Sequence, residues 1–187
     1  HLTKDQRHLL NHLIVTHGKS RLVEEAFLPI ILELQQRNVK TIAMTAGSTG
    51  KVGNDINFPD WRYKELKHLG IDFSLTFPNK VIFLELCDFN GNYPGFEHGI
   101  VYSAGNRNTK GELLQPVFAA LKWRPQQILA IDDKLKNLLS FKETIINMAP
   151  TIEFFGLHYR GSDFVTTPEI TEEAFVKIIS KLIRQVE

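Results

Sequence analysis

The sequence predicts an α/β fold: a three-layer, mostly parallel Rossmann-like sheet with helices on both faces and a small β-hairpin flap. Three observations carry that expectation. From residue 38 onward, short apolar runs alternate with stretches of helical period, in the order strand, helix, hairpin, helix, strand, helix, strand, helix; alternation of that kind implies parallel strands covered on both faces. Two of the runs, KTIAMT at 40–45 and QQILAID at 126–132, end on hydroxylated or acidic residues, where an open parallel sheet collects its ligands. The chain has 187 residues, 43% of them hydrophobic, enough for one domain with its own core.

Residues 4–16 read as a helix, with Leu9, Leu10, Leu13 and Ile14 on one face. Ser20 has the character of an N-cap, with Glu24 and Glu25 in the early turns. The helix it opens carries Leu22, Ala26, Ile30, Ile31 and Leu34 to about Arg37, with Asn38 as its stop. KTIAMT is a strand that closes on the small-residue turn AGSTG. Residues 59–69 form a helix begun by Pro59 and ended by Gly70. VIFLELCDF, NGNYPGFEHG and IVYSAG then read as two strands around a Gly/Asn/Pro turn, the hairpin flap. Residues 110–121 form a helix kinked by Pro116. The strand QQILAID comes next, then a helix from about Lys134 to Asn147, then the strand TIEFFGLHY. Thr167, Pro168 and Glu169 open a last helix, to about Gln185. Residues 1–187 thus make a single domain, with a helical region at 1–37, a candidate cap, ahead of a core at 38–187.

A net charge of +1 gives no footprint for nucleic acid or an anionic membrane surface. No apolar run approaches the ~20 residues of a membrane span. Cys87 is the single cysteine, which excludes an intramolecular disulfide and a thiolate cluster and leaves it as a small core hydrophobe. The chain opens on His1, so the sequence assigns no targeting signal, and a cytoplasmic and an exported location both stay open.

Chemistry concentrates at three boundaries. Asp132 and Asp133 directly follow ILAI. Two adjacent carboxylates cannot both enter a dry core, and a hard cation such as Mg2+ would relieve their repulsion; the plainer role is to satisfy the start of the following helix. Thr45, with Ala46 behind it, sits where a turn leaves backbone N–H groups free, which suits an oxygen of a phosphoryl group; its hydroxyl can equally satisfy its own turn. Ser48 and Thr49 share that turn. Lys110 stands at a helix start, where a cation opposes the macrodipole; it can neutralise a carboxylate and an incoming phosphate. GSTGK at 47–51 lacks P-loop spacing, and no GxGxxG turn is present. The seven histidines show no metal-ligand spacing, His158 ends a strand, and Trp61 and Trp123 read as packing residues.

Together these positions resemble the haloacid-dehalogenase superfamily. Its second motif, a strand ending in Thr or Ser, is matched by TIAMT with Thr45. Its third, a lysine near a helix start, is matched by Lys110. Its fourth, a strand ending in an acidic pair, is matched by ILAIDD. ILAIDDKLKNL, NTKGELL, IDFS and FFGLHYRGSD resemble an uncharacterised bacterial branch whose members are frequent in intracellular bacteria and often exported. AGSTG departs from the pattern, since relatives commonly carry a Ser-Arg pair after the threonine. The resemblance implies Mg2+-dependent hydrolysis of a phosphomonoester, small or protein-borne, through an aspartyl-phosphate. Asp132 and Asp133 then hold the metal, Thr45 and Ala46 the phosphate, and Lys110 orients the nucleophile.

The first motif, Asp-x-Asp after an apolar strand, is absent: upstream of Thr45 the only aspartate is Asp5, in TKDQR. The resemblance therefore implies a nucleophile on an upstream segment or cleaved fragment of the same protein, filling a gap between the strands that end at Thr45 and Asp132. The alternative expectation is a catalytically inactive binding or effector module.

Overall fold

The computed structural model describes residues 3, 6–7, 10, 13–14, 16 and 18. From residue 20 onward it describes all but 53–55, 84, 89–90, 106–107, 166–169 and 185–187. The elements are α1 (Phe27–Gln36), β1 (Ala43–Thr45), β2 (Lys51–Val52), β3 (Ile56–Asn57), α2 (Phe58–His68), β4 (Val81–Ile82), β5 (Gly95–Glu97), β6 (Ile100–Tyr102), α3 (Leu114–Ala120), β7 (Gln127–Asp132), α4 (Leu135–Met148), β8 (Glu153–His158) and α5 (Glu172–Ile183), with 3-10 turns at Phe73–Leu75 and Gly161–Phe164.

The strands do not form a mostly parallel sheet, and the Rossmann-like three-layer expectation is overturned. The largest sheet is mixed, with order β1-β6-β5-β4; β2 and β3 form a small antiparallel pair, and β7 and β8 a separate two-stranded sheet. Within the large sheet only β1 and β6 run parallel, with Met44 opposite Val101. The β4–β5 and β5–β6 pairs are antiparallel. Within the expected turn region NGNYPGFEHG the chain reverses only at the last two residues, His98 and Gly99, with φ of 54° and 75°, so that GFE joins the sheet as β5. Two residues at positive φ are what a type I′ hairpin needs to match the right-handed twist of its strands. The expected flap at 80–104 is therefore the middle of the principal sheet, not an appendage.

Proline decides where two helices start. A helix opened by Ser20 would carry Pro29 in its interior, where the ring meets the carbonyl four residues back. Instead α1 begins at Phe27, which puts Pro29 in the first turn, where an N–H would have no partner anyway; Ser20 lies outside the helix and donates its N–H to Glu65. In the same way α3 begins at Leu114, and Pro116 falls in its first turn rather than kinking a longer helix. At α2 the sequence and structure agree. Asn57 caps it by accepting from the Asp60 N–H, Pro59 stands in the first turn, and Gly70 ends it at φ 84°. Near the N-terminus Gln6, Arg7, Leu10, Leu13, Ile14 and Thr16 are helical, while Asp5 and Leu9 lie outside the described residues. Thr167, Pro168 and Glu169 also lie outside them; α5 starts later, capped by Thr171, whose hydroxyl accepts from the Ala174 N–H.

The main core gathers Phe83, Phe96 and Val101 from the mixed sheet with residues of α3 and α4, including Val117, Phe141 and Ile145. The packing role read for the tryptophans holds: Trp123 meets Phe77 and Phe118, and Trp61 meets Phe58. Cys87, expected in the core, is exposed. One face of β7–β8 is covered, since Ile128, Ala130 and Phe154 pack against the core. On the other face Leu129, Ile131, Phe155 and Leu157 are 62, 49, 55 and 51% exposed. Among the described residues, β1 and β7 each pair with a strand on one edge only.

Phe96 is fully buried at the centre of the mixed sheet. Truncation to Ala lowers stability by about 3–5 kcal/mol, read from the shift of the urea unfolding midpoint at constant slope.

Candidate functional site

β7 ends on Asp132, and its carboxylate is the only buried one among the described residues. Lys110 Nζ donates to Oδ2 at 2.6 Å. The Lys134 N–H and Asn137 Nδ2 donate to Oδ1 at 2.9 and 2.8 Å. Burial pushes this carboxyl upward, but the hydrogen bonds from Lys110, Lys134 and Asn137 and the charge of Lys110 outweigh it, so the group is held below the ordinary carboxylate range. Asp132 thus does two things at once: it satisfies the start of α4, the plainer expectation, and it pairs with Lys110. Asp133 is exposed, so the pair divides as charge burial requires.

Lys110 is placed by a local device. The Thr109 N–H donates to Glu112 Oε2 at 2.6 Å, and the Glu112 N–H donates back to Thr109 Oγ1 at 3.3 Å. This is the reciprocal capping box, and it holds 109–112 as a rigid turn ahead of α3. The Gly111 N–H donates to Ser140 Oγ on α4, and a Cβ at Gly111 would lie 2.3 Å from the Ser140 carbonyl oxygen. Glycine therefore lets the Lys110 turn press against the helix that starts just past Asp132. Asn137 and Ser140, which complete this arrangement, escaped sequence analysis; the one available signal is an amide in the first turn after an acidic pair.

The AGSTG turn is closed on itself. Thr45 Oγ1 accepts from the Gly47 N–H at 3.2 Å, and Ser48 Oγ from the Gly50 N–H at 3.1 Å. Thr49 Oγ1 donates to the Tyr93 carbonyl, and the Ala46 carbonyl accepts from the Gly105 N–H. Among the described residues Thr45 shares no hydrogen bond with Lys110, Asp132 or Asp133; Thr45 Oγ1 makes the local bond that its residue type also allowed. The structure brings Lys110 and Asp132 together and gives Thr45 and Ala46 no bond to either. His158 Nε2, at the end of β8, lies 3.1 Å from the Asp133 carbonyl oxygen.

A family model described as "Protein of unknown function (DUF2608)" matches residues 5–185, and the chain belongs to that family. It is similar to an uncharacterised protein of Rickettsia bellii, 29% identical over 82% of this chain and 54% of that protein. A Rickettsia prowazekii protein, also uncharacterised, is 28% identical over 100% of this chain and 64% of its own length. A third, from Rickettsia typhi, is 28% identical over 93% and 59%. The chain therefore spans between about half and two thirds of the length of these relatives. No solved structure matches. These findings overturn the haloacid-dehalogenase assignment: the family covering nearly the whole chain is a different one, of unknown function, and the sheet lacks the mostly parallel order that superfamily implies. No helix among the described residues is long and apolar enough to cross a membrane.

Because the folded Asp132 carboxyl titrates below its unfolded value of ~3.9, the ionised form stabilises the fold above that pH, and the contribution fades as pH falls from there through the lower folded value. Asp132→Asn flattens that part of the acid limb in urea midpoints measured against pH. Lys110→Met costs about 1.5–3 kcal/mol by leaving the carboxylate short of a charged donor, and adding Asp132→Asn recovers part of the loss.

Proposed function

We propose that this member of the DUF2608 family hydrolyses phosphomonoesters with the help of Mg2+, around Lys110, Asp132 and Asp133. The observation that carries the reading is a buried, lysine-paired carboxylate at the open C-terminal end of a parallel strand, with a second, exposed carboxylate next to it. Lys110 has three N–H groups and spends one on Asp132, which leaves two for phosphoryl oxygens. A carboxylate has about four acceptor sites, and Asp132 uses three, so it retains one for a cation. Asp133 faces solvent and can supply the rest of a hard, oxygen-rich site. When bound there, Mg2+ supplies neutralisation of the phosphoryl charge. The chain's own part is to fix the Lys110 cation where that charge develops.

The attacking group in this reading is an aspartate carboxylate on a part of the protein outside this chain, seated on an open strand edge of β1 or β7; such edges accept a further strand by main-chain hydrogen bonding. It bonds to phosphorus as the ester P–O bond breaks, and water then releases phosphate from the aspartyl-phosphate. The substrate in this reading is a small phosphorylated molecule or a phosphoprotein. One observation favours a second reading, a non-catalytic binding or effector module: the Thr45 hydroxyl is spent within its own turn, so a phosphate cradle is only half assembled.

The full-length protein should hydrolyse p-nitrophenyl phosphate with Mg2+ and not with EDTA, and Lys110→Ala and Asp132→Asn should each lower kcat/KM by about 10²–10³. Unchanged rates in both variants would sink the site; absence of Mg2+-dependent turnover would leave the binding module.

A further inference from the structure

A second group of ionisable side chains lies at the other end of the mixed sheet's hairpin. We propose that Asp60, Glu97 and His98 form a site for a divalent transition cation of the Zn2+ class, independent of the Asp132 carboxylate. His98 Nε2 lies 3.1 Å from Asp60 Oδ1 and 3.8 Å from Glu97 Oε1, and one ligand atom from each residue falls within 4.8 Å of the others. Ligands about 2.0–2.2 Å from a tetrahedral metal stand roughly 3.3–3.6 Å apart, so the trio needs only small side-chain adjustment. The imidazole is what sets this group apart from a patch of acids: one nitrogen and two carboxylate oxygens suit a borderline cation, not Mg2+ or Ca2+. Three protein ligands leave a coordination position open.

The ligands come from two places: Asp60 from the first turn of α2, and the consecutive residues Glu97 and His98 from the end of β5 and the turn into β6. The His98 ring is stacked on Tyr63, centroids 4.3 Å apart and planes within 9°, which fixes its orientation. His98 holds the first of two positive-φ positions in that turn, which histidine tolerates better than most side-chain-bearing residues. Lys80 Nζ, 2.7 Å from Glu97 Oε1, offsets one of the two carboxylate charges when no metal is bound, and its half-exposed side chain can swing into solvent.

Metal-free full-length protein, titrated with Co2+ and with Zn2+ against a chromophoric chelator, should take up one ion at this site with visible Co2+ d–d absorption. Lys80→Ala should tighten binding several-fold, and Asp132→Asn should leave it unchanged. His98→Asn, which suits the turn and should preserve the melting temperature, and Asp60→Asn should each weaken binding at least about tenfold. Wild-type affinity in both of those variants, or no stoichiometric uptake by the unmodified protein, would overturn the site.

Discussion

β6 is hydrogen-bonded along both edges, antiparallel to β5 and parallel to β1, and all three of its residues are buried. Buried backbone groups must be paired, so this three-residue strand dictates how its neighbours lie. Its influence extends past its own C-terminal end. Beyond Tyr102 the chain continues to bond with the turn after β1: the Ser103 N–H donates to Thr45, the Ala104 N–H to Gly47 and the Gly105 N–H to Ala46. The parallel β1–β6 ladder thus runs directly into the AGSTG turn and ties it down by its carbonyls, while the Thr45 and Ser48 hydroxyls satisfy its N–H groups. The reversal at His98 and Gly99 makes this arrangement possible, and the same reversal presents His98 to Asp60 and Glu97.

At the far end of β7 the balance is electrostatic. Burying Asp132 costs solvation, and three hydrogen bonds, one from an ammonium group, more than offset it. The geometry is supplied redundantly, by the capping box at Thr109 and Glu112, by the contact of Gly111 with Ser140, and by the first turn of α4. The proposed chemistry uses what that redundancy leaves over: spare lysine N–H groups, one spare acceptor on Asp132, and the exposed Asp133 carboxylate.

The outer face of β7–β8 is equally informative about the fold. Four large apolar side chains alternate outward from a two-stranded parallel sheet whose inner face packs on the core. Parallel strands ordinarily have both faces covered, and an isolated pair has little stability of its own. Here α4 provides the cover on one side only. Among the described residues β7 pairs along one edge only, so its open edge and this apolar face belong to the same half-partnered pair of strands.

Much of the local structure was legible in the amino-acid order. The β1 and β7 strands and α2 with its proline start and glycine stop follow from period and caps, and the cost of burying charge says that Asp132 and Asp133 cannot both lie inside; which of the two is buried, and that Lys110 bonds to it, came from the structure. Strand pairing was not legible, because alternating strands and helices say nothing about which strand edges meet. That was settled by where within NGNYPGFEHG the chain reverses, at His98 and Gly99, which the composition of that stretch leaves open. The helix starts governed by Pro29 and Pro116 were within reach of sequence reasoning, since proline is tolerated only in a first turn. The local bond of the Thr45 hydroxyl to the Gly47 N–H was within reach too, as the plainer of its two readings; the tie of that turn to the segment after β6 was not, because those partners lie almost sixty residues away. Sequence determines what each segment prefers to become; which surfaces and edges it spends on its neighbours depends on contacts distant in the chain, and those exist only once the sheet has formed.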